Sequence, residues 1–517
     1  MFVAAWLAVS ALLLSPPLAV GQSPAEPGDT AEKRVAADGS TEVGADGQPL
    51  QAARPAATGL EAAAALERAL TAAISAGEKS VVAIARVDRS NPEDAAPIEL
   101  RQNPFGTLQF PIGQPKPGDV DFIADDYGTG VVIDRSGLIV THYHVVGPNS
   151  DLYVTTAARK VYPARIKAAD PRSDLAVLSI DAHDLVPMRF GDATTLKKGQ
   201  IVVSLGNPYG IARDGQVSAS WGIVSNLSRK APAPKPDLLS TPTKTTLHQF
   251  GTLIQTDAKL NLGTSGGALM NLQGEMIGLT TALAAVTGYE QAAGYAVPVD
   301  QTFRRALDAL KQGREVEYGF LGVSPENFTP AEILAGKQGV RVREVVRGTP
   351  AQRYGLQPED VITHVNGAPI YDQDGLVLEV GKLPVDATVR LTVEREGQVL
   401  PMSLTLAKYW VPGKRVVTTP APVWRGIRVD YATATKDFQE QARQNLVDLD
   451  GCVVITEVER DTPSWNEGLR PQMFISHVGG TRVATPKEFR AATEGKSGPL
   501  SLRVLPPSDR PQRVIPE

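Results

Sequence analysis

A serine set between glycines, Gly263-Thr264-Ser265-Gly266-Gly267, is the string most able to do chemistry in this chain. A nucleophilic serine needs a tight turn whose backbone N–H groups converge on the carbonyl oxygen that becomes anionic. Glycines on both sides permit that turn. On its own the string is weak, since most serines between glycines sit in plain loops. It gains weight beside a histidine that can act as base and an aspartate that can orient it. The chain has only 6 histidines, so the search is short. His144 lies in Ile139-Val140-Thr141-His142-Tyr143-His144-Val145-Val146, directly after a strand-turn-strand pattern. His183 and His248 have loop-like surroundings, and His364 and His477 occupy equivalent places in a repeat, which reads as surface or packing. Asp174 opens the apolar strand Leu175-Ala176-Val177-Leu178, where a buried carboxylate can accept Nδ1–H from His144. The chain order is then His, Asp, Ser, with separations of 30 and 91 residues. A metal reading built on His142 and His144 is weaker, because two residues alternating on a strand point to opposite faces. No carboxylate-histidine helix motif accompanies them, so neither a metal nor an organic cofactor is expected.

The elements that must position these residues are mainly β. From Gly128 to Pro298, short β-branched runs such as Gly130-Val131-Val132-Ile133-Asp134 and Ile201-Val202-Val203-Ser204-Leu205 alternate with Gly, Asp and Asn turns. That spacing predicts a barrel or a sandwich. Leu60, Ala63, Ala64, Leu66, Leu70 and Ile74 recur at helical spacing and lead into a strand over Ser80-Val81-Val82-Ala83-Ile84. Between Asp88 and Tyr127 six prolines exclude regular structure, as a lid, a regulatory loop or plain surface slack would. A second proline-rich loop runs from Ala231 to Pro242. Further on, Glu344, Thr349, Pro350, Gly355, Leu356, Ile362 and His364 recur 113 residues later as Glu457, Thr462, Pro463, Gly468, Leu469, Ile475 and His477. Two copies of one small domain therefore follow the β domain, joined by a linker bearing Pro412, Pro420 and Pro422.

With 517 residues and 55.0 kDa the chain has room for three or four domains, and 42% hydrophobic with 21% charged residues is ordinary globular usage. A formal charge of −5 offers no clustered positive field, so nucleic acid is a poor partner. The 1 cysteine, Cys452, rules out intrachain disulfides. Residues Phe2 to Leu14 are apolar and precede Ser15-Pro16-Pro17 and Ala19-Val20-Gly21, which reads as a secretory signal over 1–21. No Lys or Arg precedes the run, so an uncleaved anchor and a misassigned start remain alternatives. Residues 22–57 read as a disordered spacer, and no other segment reaches membrane-spanning length.

At these residues the chain resembles the HtrA (Deg) family of trypsin-like serine proteases, over about residues 60 to 508. The resemblance is carried by Gly128-Thr129-Gly130, Thr141 to Val146, Ser173 to Leu178, Gly206-Asn207-Pro208-Tyr209-Gly210, Ile254 to Ala258, Gly263 to Gly267 and Gly294 to Pro298. It implies a pair of six-stranded β-barrels over 58–312 with the site between them, followed by PDZ domains at 315–408 and 422–508. PDZ domains are sandwich-like sheets with short helices. It also implies His144 as general base, Asp174 as its orienting partner, Ser265 as nucleophile, and the N–H groups of Gly263 and Ser265 as oxyanion hole. Phe320-Leu321-Gly322-Val323 matches the PDZ loop whose N–H groups hold a peptide carboxylate while the peptide adds as a strand. In the second copy Arg425-Gly426-Ile427-Arg428 carries a charge where an apolar residue is expected, which leaves peptide binding and assembly or packing both open.

Two departures stand next to the site. The usual Asn-Pro-Gly-Asn is Asn261-Leu262-Gly263-Thr264, and the usual Asn-Ala before the histidine is His142-Tyr143. Leu262 lacks proline's fixed φ, and Tyr143 is expected to pack beneath the base rather than crowd it. Leu279-Thr280-Thr281-Ala282 resembles a wall of a pocket that in the family favours small aliphatic side chains. The whole implies an exported, periplasmic or cell-envelope, ATP-independent endopeptidase acting on unfolded or mislocalised polypeptides. Its family also implies C-terminal peptides as PDZ ligands and assembly as a homotrimer or a larger set of trimers. The alternative is a proteolytically weak chaperone or PDZ scaffold that binds exposed C-termini.

Overall fold

The Ala-rich segment near Leu60 forms a helix, Gly59–Gly77, in this computed structural model, and passes through a short turn into the strand Val81–Asp88. The structure describes residues 59–88, 101–102, 108–109, 124, 126–147, 149–207, 215–231, 244–282, 294–505 and 510–517. The signal and spacer segments, most of the insertion after Asp88, Pro208-Tyr209-Gly210 and the loop over 232–243 lie outside the described residues.

Six strands close the first barrel: Val81–Asp88, Asp126–Val132, Leu138–His142, Leu175–Ser179, Val161–Asp170 and Ser150–Thr155, in that cyclic order. The second barrel closes through Ser218–Arg229, Leu253–Thr256, Gly294–Pro298, Met276–Thr281, Ala268–Met270 and Ile201–Gly206. Their apolar runs are nearly continuous because both faces of these strands are buried. Val82, Val132, Ile139 and Leu178 pack with one another on one face. Their neighbours Val81, Val131, Val140 and Val177 join Leu205, Met270 and Leu279 of the second barrel in a shared core. Helix Gln301–Lys311, capped by the Asp300 side chain, adds Phe303, Ala306, Leu307 and Leu310 to it.

The repeat seen in the sequence is a repeat of topology. Strands Val323–Glu326, Val340–Val345, Val361–Val365, Thr388–Arg395 and Gln398–Thr405 pair in chain order, with Ala368–Pro369 on the third. Ile427–Tyr431, Val453–Val458, Phe474–Val478, Leu500–Val504 and Gln512–Ile515 do the same, with Thr481–Arg482 on the third. The second sheet thus ends on a strand beyond residue 508. The segment between the repeats is not a free tether: Val416–Val417 pairs with Ala169 and Ala168 on the edge of the first barrel.

Candidate active site

The strand Leu138–His142 delivers His142 and turns at once into the short helix Tyr143–Val146, which carries His144. That turn overturns the expectation that the two histidines face opposite ways. The alternation rule needs an extended chain through both residues, and the strand ends at the first. Their rings stack with centroids 5.0 Å apart, and both address Asp174. The Tyr143 hydroxyl donates to the Lys414 carbonyl at 2.9 Å and its ring packs on the first-barrel core, so it leaves the His144 ring uncrowded.

Asp174 has a φ of +53°, a left-handed conformation that aspartate tolerates better than most residues. The conformation places both carboxylate oxygens on one partner. His144 N–H donates to Oδ1 at 3.1 Å, and His144 Nδ1 meets Oδ2 at 2.8 Å. The preceding loop is held from below. Asp170 Oδ2 accepts from Ser173 N and Oγ at 2.8 and 2.7 Å, and from the Tyr318 hydroxyl. Buried Arg172 lies 4.1 Å from the centre of the Tyr409 ring.

Burial alone would raise the Asp174 pKa, yet the His144 and His142 rings hold it well below the usual carboxylate range. Burial pushes the His144 ring down, and the charge and hydrogen bond of Asp174 more than reverse this, so its pKa lies above the ordinary value. Asp126 adds to the rise and Arg86 opposes it.

Ser265 sits on the facing barrel. Asn261 C=O accepts from Thr264 N–H at 3.1 Å, and Gly263 at the third position of that turn has φ +90°. This is the type II form, which calls for glycine there; in type I that φ is about −90° and the preceding peptide turns over. Thr264 N–H is thereby used by the turn. The N–H groups of Gly263 and Ser265 have no acceptor among the described residues. Gly266, at φ +87°, has no room for a side chain, since a Cβ would lie 2.0 Å from the Thr129 carbonyl oxygen.

The structure therefore joins His144 to Asp174 directly, and holds Ser265 by other partners. Ser265 Oγ accepts from Ala282 N–H at 2.9 Å, and among the described residues no hydrogen bond links it to His144. Among the described residues the Ser265 hydroxyl hydrogen and His144 Nε2 are both uncommitted, with 39% of the His144 side chain open to solvent.

Thr129 is a residue whose part the motif Gly128-Thr129-Gly130 hinted at without revealing it. Its N–H donates to the Ser265 carbonyl at 2.9 Å and its hydroxyl to the Gly263 carbonyl at 2.7 Å, fixing the serine turn from the first barrel. Thr280 is another; its carbonyl accepts from Gly266 N–H at 2.8 Å and faces His142 Nε2 at 2.9 Å. His142, His144 and Asp174 also fall within metal-ligand reach of one another. Both His142 nitrogens face protein oxygens, however, so no His142 lone pair is aimed at a shared point.

Known proteins resemble this chain in sequence. The trypsin-like peptidase domain family matches residues 128–279, and the PDZ domain family matches residues 319–406. A probable periplasmic serine endoprotease, DegP-like, of Pseudomonas fluorescens is 32% identical over 406 residues, covering 77% of this chain and 81% of the relative. The periplasmic serine endoprotease DegP of Salmonella typhimurium is 28% identical over 383 residues, covering 73% and 74%. Among solved structures, the HtrA-type protease AlgW with a decapeptide is 25% identical, with a TM-score of 0.49, covering 66% of this chain and 99% of its own. With its double barrel, its serine turn and a PDZ domain behind them, the chain belongs to the HtrA family of exported, DegP-like serine endoproteases.

Proposed function

We propose that Ser265 is the nucleophile, His144 the general base and Asp174 the residue that orients it. The observation that carries this is the 2.8 Å contact of His144 Nδ1 with buried Asp174, across from a serine turn whose Gly263 and Ser265 N–H groups have no acceptor. On substrate binding, Ser265 Oγ adds to the scissile carbonyl while its proton passes to His144 Nε2. The Gly263 and Ser265 N–H groups hold the resulting oxyanion. His144 then gives that proton to the departing amine, and water, deprotonated by the same ring, frees the acyl group from Ser265. Hydrogen bonds between such groups often close only in the substrate complex, in keeping with the resting Ser265 geometry.

A fluorophosphonate should label Ser265 in the native protein and fail on Ser265→Ala, which should also lack peptidase activity. Native protein that is neither labelled nor active would favour the scaffold reading, and a variant of unchanged activity would remove Ser265 as the nucleophile.

The finer expectations rest on the family and on local features. Unfolded or mislocalised polypeptides are the substrates, and the N-terminal signal over 1–21 exports the protein to them. Phe320-Leu321-Gly322-Val323 is the carboxylate-binding loop; Gly322, at φ +93°, lies between the short strand Gly319–Phe320 and the strand that opens at Val323. The second repeat is a PDZ domain, a reading supported by its strand order. Its Arg425 donates to the carbonyls of Ile515, Pro516, Lys496 and Gly498, which favours packing over peptide capture. Assembly as a trimer, or a set of trimers, rests on the family resemblance, and light scattering at micromolar concentration tests it.

A further inference from the structure

His142 is completely buried between the two barrels, and among the described residues its ring nitrogens meet only acceptors. Nδ1 lies 2.9 Å from the Asp174 carbonyl oxygen and 3.2 Å from the Asp174 carboxylate. Nε2 lies 2.9 Å from the Thr280 carbonyl oxygen. A carbonyl oxygen cannot donate, and a neutral imidazole has one N–H and one lone pair. Either neutral tautomer would set a buried lone pair against a carbonyl lone pair. Only the doubly protonated ring donates on both sides, and the carboxylate that balances its charge is already in contact.

We propose that His142 is a buried imidazolium, a positioning residue that pins Asp174 to the second barrel and tempers the proton affinity of His144. This rests on the assignment of His144 and Asp174 made above. Asp174 then faces two rings, one charged because it donates on both sides and one charged only while it holds the serine proton. The fixed charge stacks on His144 at 5.0 Å, with 19° between the ring planes, and opposes that second charge. The surrounding groups leave room for one cation. His248, also buried, is pushed down by burial, and its Nε2 faces the Ser173 carbonyl while Nδ1 meets the Thr252 hydroxyl. Asp170 and Asp300 act on the neighbouring Tyr143 and His248, and Asp126 and Arg86 on His144.

The test compares pH profiles of kcat/KM for the full-length native protein and for His142→Asn and His142→Gln, which donate a hydrogen bond but stay neutral. Removing the fixed charge should move the acid limb to higher pH by about one unit, so that kcat/KM well below the limb falls about tenfold more in the variants. A merely structural His142 would lower kcat at every pH without moving the limb, and that result overturns the proposal. Should the variants not fold, ring nitrogen shifts in histidine-labelled Ser265→Ala protein decide it: both His142 nitrogens should be protonated at neutral pH, and a single protonated nitrogen sinks the assignment. Full turnover in Ser265→Ala would instead defeat the triad reading itself, whereas a dead Ser265→Ala with an unmoved limb defeats only the role of His142.

Discussion

At His144 two opposing effects are resolved by one neighbour. Burial favours the neutral ring, and Asp174 favours the charged one and wins. A base must be neutral to take the serine proton, so raising its pKa moves the working range upward. The pH profile of kcat/KM should therefore show an acid limb above about 6.5, the ordinary histidine value. A limb at or below that value would mean that Asp174 does not outweigh burial and the neighbouring positive charges in solution. Asp174 itself, held low by both rings, stays ionised across that range. Beside the nucleophilic role proposed for Ser265, its Oγ is the acceptor for Ala282 N–H. Ser265→Ala should accordingly lose about 1 kcal/mol of stability along with all activity, a cost readable by denaturant unfolding.

Turns and strand ends set the geometry. The serine turn has glycine where a side chain would collide: at Gly266 a Cβ would also lie 2.4 Å from Thr141 Oγ1. Gly266→Ala should therefore cost more than about 2 kcal/mol and misplace Ser265, seen as a lowered melting temperature and loss of fluorophosphonate labelling. A melting temperature within a degree of the native protein would contradict the packing described here. On the first repeat, Leu321 is buried and only Phe320 and Val323 are partly open, so any carboxylate recognition falls to backbone N–H groups. A peptide with a free C-terminus and an apolar last residue should bind the full-length Ser265→Ala protein at least about tenfold more tightly than its amide, because charged hydrogen bonds contribute about 1.5 to 3 kcal/mol. Equal affinities would remove this loop from substrate capture.

Across the whole molecule, charged side chains join parts that the chain keeps far apart. Lys408, 3% exposed at the end of the first repeat, pairs with Glu315 at 3.0 Å, Glu317 at 3.1 Å and Asp430 of the second repeat at 2.8 Å. Burial would lower its pKa, and the three carboxylates raise it instead. Lys408→Met should cost about 3 to 5 kcal/mol, because it takes the shared cation from Glu317 and Asp430 and leaves Glu315 with Arg415 alone. The loss should shrink at low pH, where the carboxylates become protonated, and urea titrations at two pH values will show it. Contacts of the same kind reach the site: Tyr318 and Tyr409, on either side of the first repeat, grip the loop that ends in Asp174.

Local pattern was enough to find the serine turn, the barrel strands and the two copies of the repeat, because each element depends on residues near in sequence. A glycine-flanked serine needs glycine whatever surrounds it, and strands buried on both faces must be apolar throughout. The contact of His144 with Asp174 belongs to tertiary structure, as do the hold of Thr129 on a turn 134 residues away and the pairing of Val416–Val417 with the first barrel. His142 shows the division most sharply. Its sequence position suggested a ring turned away from His144, because the alternation rule assumes an extended chain. The fold ends the strand at that residue and encloses the ring between carbonyls of two barrels. Which groups meet a buried side chain is decided by chain closure over long separations, and that information is spread across both barrels rather than written in any one segment.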